Sequence, residues 1–169
     1  AIGAEGISKA VNLGNLARTA NAFGASFVFL VDPDARLRDA LATDTAATAG
    51  QLPLYRYRSV DDLALPHGCE LVGIELLDEA IDLPSFRHPS RAAYVFGPER
   101  SSLSPAMRAR CRHLVRIPTR FCVNLAIAGA IVMYDRLLTH GRFAERPVAA
   151  GGPVEPVPAH VHGAPVLRR

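Results

Sequence analysis

Short apolar runs alternate with helical patterns along most of this 169-residue chain. The runs are rich in Val, Ile, Leu and Phe, which is typical of strands buried on both faces of a parallel sheet. We therefore predict four buried strands and two shorter ones. The four are Ser26–Val31, Glu70–Leu76, Ala92–Phe96 and Leu114–Ile117, and the shorter ones are Ala1–Gly3 and Leu52–Tyr57.

Helical segments are predicted between these runs. The first has Leu13, Leu16 and Ala20 on one face, as an amphipathic helix requires. The second predicted helix begins with a capping-box pattern, in which an acidic residue stands three positions after a serine. The third predicted helix begins with a serine that is followed by a proline. The predicted helices are Asn12–Phe23, Ser59 to Leu65, and Ser104 to about Cys111.

The last predicted helix is the longest, from about Asn124 to Thr139, and it ends before Gly141. Small side chains in its first half would let another backbone, a cofactor or a second subunit approach closely. Alternating strands and helices predict an α/β fold with a mostly parallel sheet and helices on both faces. The small residues are Ala126, Ala128, Gly129 and Ala130, and the apolar face includes Ile127, Ile131, Tyr134 and Leu138.

The composition changes near Ala144. Prolines recur beyond this point among Gly, Ala and Val, and they cannot propagate a helix or a central strand. We expect residues 1–143 to form one domain and residues 144–169 to form a flexible tail.

Composition excludes several classes of protein. With 49% hydrophobic and 21% charged residues, the chain resembles an ordinary globular protein. No apolar run approaches the ~18 residues of a membrane helix, and the N-terminal segment has no signal-peptide pattern, so we expect a cytoplasmic protein. Cys69, Cys111 and Cys122 form no CxxC pair and have no histidine at ligand spacing. We expect reduced thiols and no metal site.

The basic side chains are almost all arginine. Net charge is only +3, and Lys9 is the sole lysine. Arginine binds phosphate with a planar fork, so a cluster of arginines fits an RNA-facing surface. A solvated helix face fits the same pattern, and both interpretations stay open. The cluster contains Arg87, Arg91, Arg100, Arg108, Arg110, Arg112, Arg116 and Arg120.

Three groups of polar and turn residues follow predicted strands. Asn12, Asn15 and Arg18 lie near a helix N-terminus, which favours anions, and an arginine there can hold a phosphate. The alternative makes the asparagines helix caps and Arg18 a surface residue. Phe96-Gly97-Pro98-Glu99 is a turn that permits close approach of a ligand to its backbone, although an ordinary βα turn has the same composition.

The third group begins at Ile117-Pro118 and continues through Cys122-Val123-Asn124. Asn124 fits the cap of the last helix. Cys122 lies at the same terminus, but no histidine stands at a spacing that would activate it, which disfavours covalent catalysis. Since open α/β sheets bind ligands at the carboxyl ends of their strands, the three groups together predict one site for a nucleotide-like cofactor beside RNA.

The order and spacing of these motifs resemble the SpoU (TrmH-like) branch of the SPOUT RNA methyltransferases. The motifs are Asn-x-Gly-Asn-x-x-Arg at 12–18, Phe-Gly-Pro-Glu at 96–99, Ile-Pro at 117–118 and Cys-Val-Asn at 122–124, followed by the small-residue helix. The resemblance extends from about Ile2 to Leu138.

This resemblance implies a fold, a cofactor and an activity. Family members transfer a methyl group from S-adenosylmethionine to a ribose 2′-hydroxyl of tRNA or rRNA. Their C-terminal part forms a deep trefoil knot that holds the bent cofactor, and they are generally homodimers packed through the knot region. The resemblance places cofactor contacts at Ile74, Gly97, Ile117, Cys122 and Leu125.

The resemblance also assigns catalytic residues. Arg18 matches the family's essential arginine, and Asn12, Glu99 and Asn124 match the polar residues around it. An arginine is too basic to accept a proton readily, so an electrostatic role is favoured over that of a general base. We expect RNA contacts at Asn15, Arg18, Arg100 and Arg120.

Two departures from the family pattern keep an alternative open. Many relatives have serine at the position of Cys122 and glycine at that of Ser102. A catalytically silent, knotted RNA-binding module would fit such changes, although the arginine, glutamate and asparagines are present. A nucleotide-binding oxidoreductase is disfavoured because no G-x-G-x-x-G follows a strand.

Overall fold

The computed structural model describes residues 1–34, 37, 52–141, 143, 150 and 151. Seven described strands form one sheet in the order β3-β2-β1-β6-β4-β7-β5, and every neighbouring pair is parallel. The predicted α/β fold with a parallel sheet is therefore confirmed. The strands are β1 Ile2–Glu5, β2 Val28–Val31, β3 Leu54–Tyr57, β4 Glu70–Ile74, β5 Ile81–Asp82, β6 Ala92–Phe96 and β7 His113–Arg116.

Helices cover both faces of this sheet. Val28 and Leu30 belong to the same hydrophobic cluster as α1 and α3, whereas Phe29 and Val31 pack in a second cluster with Met107 of α2. Alternate residues of a buried strand therefore contact different helices, as the continuous apolar runs predict. The helices are α1 Ala10–Ala22, α2 Pro105–Arg110 and α3 Leu125–His140, with a 3₁₀ turn at Leu83–Ser85.

Three of the four small residues of α3 face the protein interior. A Cβ atom added at Gly129 would lie 2.7 Å from Leu16 Cδ1 of α1 and 3.2 Å from Ile2 Cδ1 of β1. Ala126 and Ala128 are also buried. The neighbour that approaches closely at this point is therefore α1 together with the sheet.

We expect a Gly129→Val variant to be less stable than the wild-type protein by about 1–3 kcal/mol, because its side chain would overpack the contact between α1 and α3. Gly14 of α1 provides the control, since a Cβ there meets nothing within 4 Å. Gly14→Ala should stabilise the protein by about 1 kcal/mol through helix propensity. Urea unfolding measures both, and equal stability of the two variants would contradict the packing argument.

Most of the apolar face predicted for α3 is directed away from the core, which the helix contacts through Leu125, Val132 and Met133 instead. Ile127 and Tyr134 are 55% and 51% exposed, Leu138 is also exposed, and Ile131 is partly buried. Ile127, Tyr134 and Leu138 share one face of the helix, and we call these three residues the apolar patch.

Two predictions of secondary structure are corrected by the structure. The helix from Ser59 to Leu65 is wrong: Ser59 Oγ accepts from the Asp62 amide, but the chain forms only a turn. Pro66 disfavours helical backbone at Leu65, the residue at which the predicted helix was expected to end. The second correction is β5, which the sequence analysis missed, since two residues give no periodic signal.

Two further expectations concern the C-terminal part. Apart from residues 150 and 151, the predicted tail at 144–169 lies outside the described residues. The strand order places β7 between β4 and β5. Whether the chain is knotted depends on the path of the segments that connect the strands, so the trefoil knot stays a prediction. Among the described helices, none combines the length and the apolar character that crossing a bilayer requires.

Candidate functional site

A cavity of about 540 Å³ lies at the carboxyl edge of the sheet. Its walls are the segments that follow β4, β6 and β7, three neighbouring strands whose ends meet because all are parallel. The start of α3 and the first turn of α1 complete it. The lining is Lys9, Asn12, Ile74–Leu76, Phe96–Ser102, Ile117, Thr119, Cys122–Leu125 and Ala128.

Glu99 is the most heavily hydrogen-bonded side chain of this site. Its Oε2 accepts from the amide and hydroxyl of Ser8, at 3.2 and 3.0 Å. Its Oε1 accepts from the Lys9 amide at 3.1 Å and from Asn12 Nδ2 at 2.9 Å. The carboxylate thus joins the turn after β6 to the start of α1, where a negative charge is favoured by the helix dipole.

Asn12 and Asn124 extend this network toward α3. Because the Glu99 carboxylate only accepts, the amide nitrogen of Asn12 must face it, and the Asn12 oxygen then accepts from Asn124 Nδ2 at 3.1 Å. The Asn124 oxygen accepts from the Ala126 amide at 2.9 Å and so caps α3. Asn12 is only 4% exposed. The orientation of both side-chain amides is therefore fixed by their neighbours.

The Glu99 carboxyl has a pKa below its ordinary value. Partial burial alone would raise the pKa, but the hydrogen bonds from Asn12, Ser8 and the backbone stabilise the charged form and outweigh burial. Glu99 is therefore a carboxylate at neutral pH, and its charge depends on the same contacts that assemble the site.

The turn after β6 is held at its other end by two more carboxylates. Glu75 Oε2 accepts from the Leu103 amide at 2.7 Å. Glu5 accepts from the amide and hydroxyl of Ser104 at 2.8 and 2.6 Å. A Cβ atom at Gly97 would lie 2.8 Å from the Leu103 nitrogen, so the turn needs glycine there to close.

Most of the residues predicted for the site come together in the structure. Asn12, Glu99 and Asn124 form one hydrogen-bonded network, and Arg100 lines the cavity. Asn15, Arg18 and Arg120 are exposed and lie outside the cavity lining in the part of the chain that the structure describes. The five residues predicted to contact cofactor all line the cavity: Ile74, Gly97, Ile117, Cys122 and Leu125.

Three functional candidates were missed by the sequence analysis. Ser8 and Lys9 hold Glu99 through their amides, a contact without a sequence signal. Glu75 directly follows β4, just as Gly97 follows β6. The rule that ligands bind at strand carboxyl ends would have identified Glu75 if it had been applied to every predicted strand. Within the described ranges, no group of three or more His, Cys, Asp or Glu side chains has the geometry to hold a metal ion.

These features define an α/β domain with a ligand cavity at the carboxyl edge of a parallel sheet. A model of the SpoU rRNA Methylase family matches residues 1–134. The chain therefore belongs to the SpoU rRNA Methylase family, and the resemblance inferred from its motifs is confirmed.

One curated relative is the tRNA (guanosine(18)-2′-O)-methyltransferase of Escherichia coli strain K12, which is 25% identical over 138 residues. The match covers 78% of this chain and 59% of the relative. The chain thus spans about three fifths of the length of the curated relatives it matches.

Two solved structures share the fold. The AdoMet-bound rRNA methyltransferase of Sinorhizobium meliloti superposes with a TM-score of 0.67 at 22% identity, covering 81% of this chain and 55% of that one. A SpoU methyltransferase of Streptomyces viridochromogenes, in complex with AdoMet, gives a TM-score of 0.68 at 23% identity, covering 83% and 58%. At these identities the similarity establishes the fold.

Proposed function

We propose that this protein transfers a methyl group from S-adenosylmethionine to a ribose 2′-hydroxyl of tRNA or rRNA. Family membership supports the reaction, and the names of the relatives mention both RNA classes. The observation that carries the proposal is the network of Asn12, Glu99 and Asn124 on the wall of the cavity. We also propose a cytoplasmic location, where such substrates are found.

The cavity fits the proposed cofactor. Its volume lies within the roughly 300–1,000 Å³ typical of small-molecule sites. Ile74, Phe96, Ile117 and Leu125 provide apolar surface for a nucleoside, and the turn at Gly97 brings backbone close to the ligand. When bound, S-adenosylmethionine supplies an electrophilic methyl group on a sulfur leaving group.

The polar network would align the substrate hydroxyl. Both Glu99 oxygens already accept two hydrogen bonds each, so Glu99 acts by holding Asn12 and the start of α1. Asn124 uses one amide N–H for Asn12 and keeps a second one for a ligand. Methyl transfer is an in-line displacement, whose rate depends on such fixed alignment.

Arg18 would act on the RNA. Its exposed position leaves the guanidinium accessible to a phosphate next to the target ribose, and a guanidinium, which only donates hydrogen bonds and keeps its positive charge, suits an electrostatic role. Asn15, Arg100 and Arg120 are also exposed and extend this polar surface.

The quaternary structure belongs to the same proposal. We propose a homodimer, with the knotted C-terminal part at its interface. The apolar patch supports it, because Ile127 and Tyr134 are each about half exposed on a helix whose small residues face inward. Exposed apolar surface of this kind commonly marks a protein–protein interface.

The decisive experiment is transfer of tritium from labelled S-adenosylmethionine into tRNA and, separately, into rRNA from a strain that lacks the gene. Label recovered in an alkali-resistant dinucleotide supports ribose 2′-O-methylation and identifies the RNA class. Cofactor binding without transfer to either RNA would favour the silent RNA-binding module, with Cys122 and Ser102 as its altered positions. Absence of cofactor binding would refute the proposal.

RNA affinity should fall steeply with salt. If arginines such as Arg18, Arg100 and Arg120 contact phosphates, each contact contributes about −0.7 to −0.9 to the slope of log K against log salt concentration. Filter binding measures this slope between 50 and 200 mM salt, a range over which such effects are large. An Arg100→Gln variant should have a slope smaller by about one contact, and a salt-independent constant would contradict the predicted RNA surface.

A further inference from the structure

Glu75 is a second carboxylate in the cavity, and its contacts differ from those of Glu99. Its Oε2 accepts one bond, from the Leu103 amide at 2.7 Å, and its Oε1 has only a 3.3 Å contact with the amide of the next residue. A carboxylate offers about four acceptor positions. Glu99 uses four, whereas Glu75 keeps capacity for a ligand.

The described residues also provide no cationic partner for Glu75. Among the described residues, the ion pairs within 4 Å involve Glu70, Asp78, Asp82 and Asp135, and none involves Glu75. Its side chain is only partly exposed and lines the cavity. A partly buried carboxylate that faces a ligand cavity is stabilised when the ligand brings a positive charge.

The topology places Glu75 across the cavity from the polar network. Glu99 contacts Ser8 and Lys9, which follow β1, whereas Glu75 follows β4. Because β6 lies between β1 and β4, the carboxyl ends of β1 and β4 are two strand spacings, or about 10 Å, apart. The methyl group must face the network where RNA would be aligned, so the sulfonium belongs on that side.

We propose that the Glu75 carboxylate binds the α-ammonium group of S-adenosylmethionine and thereby fixes the amino-acid end of the cofactor on the β4 side of the cavity. This inference rests on the proposed function. Glu75 is then a cofactor-specificity residue, since it selects ligands that carry the amino-acid cation. Its bond to Leu103 joins that recognition to the turn that begins at Gly97.

Calorimetric titration of wild type and Glu75→Gln with three ligands tests the proposal. S-adenosylmethionine and S-adenosylhomocysteine carry the ammonium group, and 5′-methylthioadenosine lacks the amino-acid part. Loss of a charge-assisted bond should weaken the first two by about tenfold or more. Binding of 5′-methylthioadenosine should change by less than about twofold, and it also reports that the variant keeps a folded cavity. Glu79→Gln, at an exposed position of the same loop, is the matched control.

Two outcomes would overturn the inference. Equal losses for all three ligands would mean that Glu75 acts through Leu103 on the shape of the cavity, and unchanged affinities would mean that it binds no cation. A measurement on the wild type avoids dependence on the variant: replacing the amino group of S-adenosylhomocysteine by hydrogen should weaken binding by the same factor. If that analogue binds undiminished, the inference fails. If wild type binds none of these nucleosides, the proposed function itself fails.

Discussion

Methyl transfer to RNA is expected to fall by about 100-fold or more in an Arg18→Ala variant, with S-adenosylmethionine affinity nearly unchanged. Arg18 is exposed and lies outside the cavity lining, so its loss leaves the walls of the cofactor site intact. Its charge would act on the substrate phosphate and on the charge that develops during transfer. Single-turnover rates and calorimetric titration separate these two effects.

The matched control for this experiment is Arg91→Ala. Arg91 directly precedes β6, at the opposite edge of the sheet, where it donates to the His67 carbonyl. The rate of methyl transfer by Arg91→Ala should stay within about twofold of the wild-type rate, because substitutions at surface positions away from a site have small effects. A large drop in S-adenosylmethionine affinity on losing Arg18 would contradict the assignment, since it would place that arginine in the cofactor site.

A Glu99→Gln variant is expected to lose about 2–3 kcal/mol of stability and most of its activity. Every neighbour of the carboxylate is a donor, namely Ser8, Lys9 and Asn12. The amide nitrogen of glutamine would have to face one pair of these donors, which leaves them without an acceptor. Urea unfolding and methyl transfer measure the two losses. Glu79→Gln, in an exposed turn, should change neither.

The same substitution should alter the acid stability of the protein. Because the folded pKa of Glu99 is lowered, its contribution is fully present above the ordinary value of 4.5 and is lost as pH falls through the lower folded pKa. The free energy of unfolding of wild type should therefore decline below about pH 4.5 more steeply than that of Glu99→Gln. Parallel declines would show that Glu99 contributes no acid-sensitive stability.

Strands were the most predictable part of this fold. Runs such as Ala92–Phe96 are buried on both sides, so nearly every residue has to be apolar and the pattern is unambiguous. β5 has two residues and is positioned by Arg116, which donates to Asp82 at 2.6 Å, an interaction between distant parts of the chain. The helix predicted after Ser59 failed because local cap chemistry does not require a helix to follow.

Part of the cavity lining was predictable from the sequence, whereas the geometry of the site was not. The motif order indicated that Asn12, Glu99 and Asn124 belong together, yet no periodic pattern relates residues so far apart in the chain. The hydrogen bonds of Glu99 form only because the turn after β6 packs against the start of α1. Helix α3 illustrates the same limit, since Ile127, Tyr134 and Leu138 of its predicted apolar face are exposed, whereas Val132 and Met133 pack in the core.

Hydrogen bonds to carboxylates of the protein itself hold the turn at residues 97–104 in place. Glu99 makes them at one end, and Glu75 and Glu5 make them at the other. Ordering one residue costs about 1–2 kcal/mol of conformational entropy, so eight freely moving residues would cost roughly 10 kcal/mol. Micromolar affinity corresponds to only about 8 kcal/mol. A turn that is already ordered leaves the contact energy of an incoming nucleoside available for affinity, so these three glutamates help to determine how tightly a small ligand can be held.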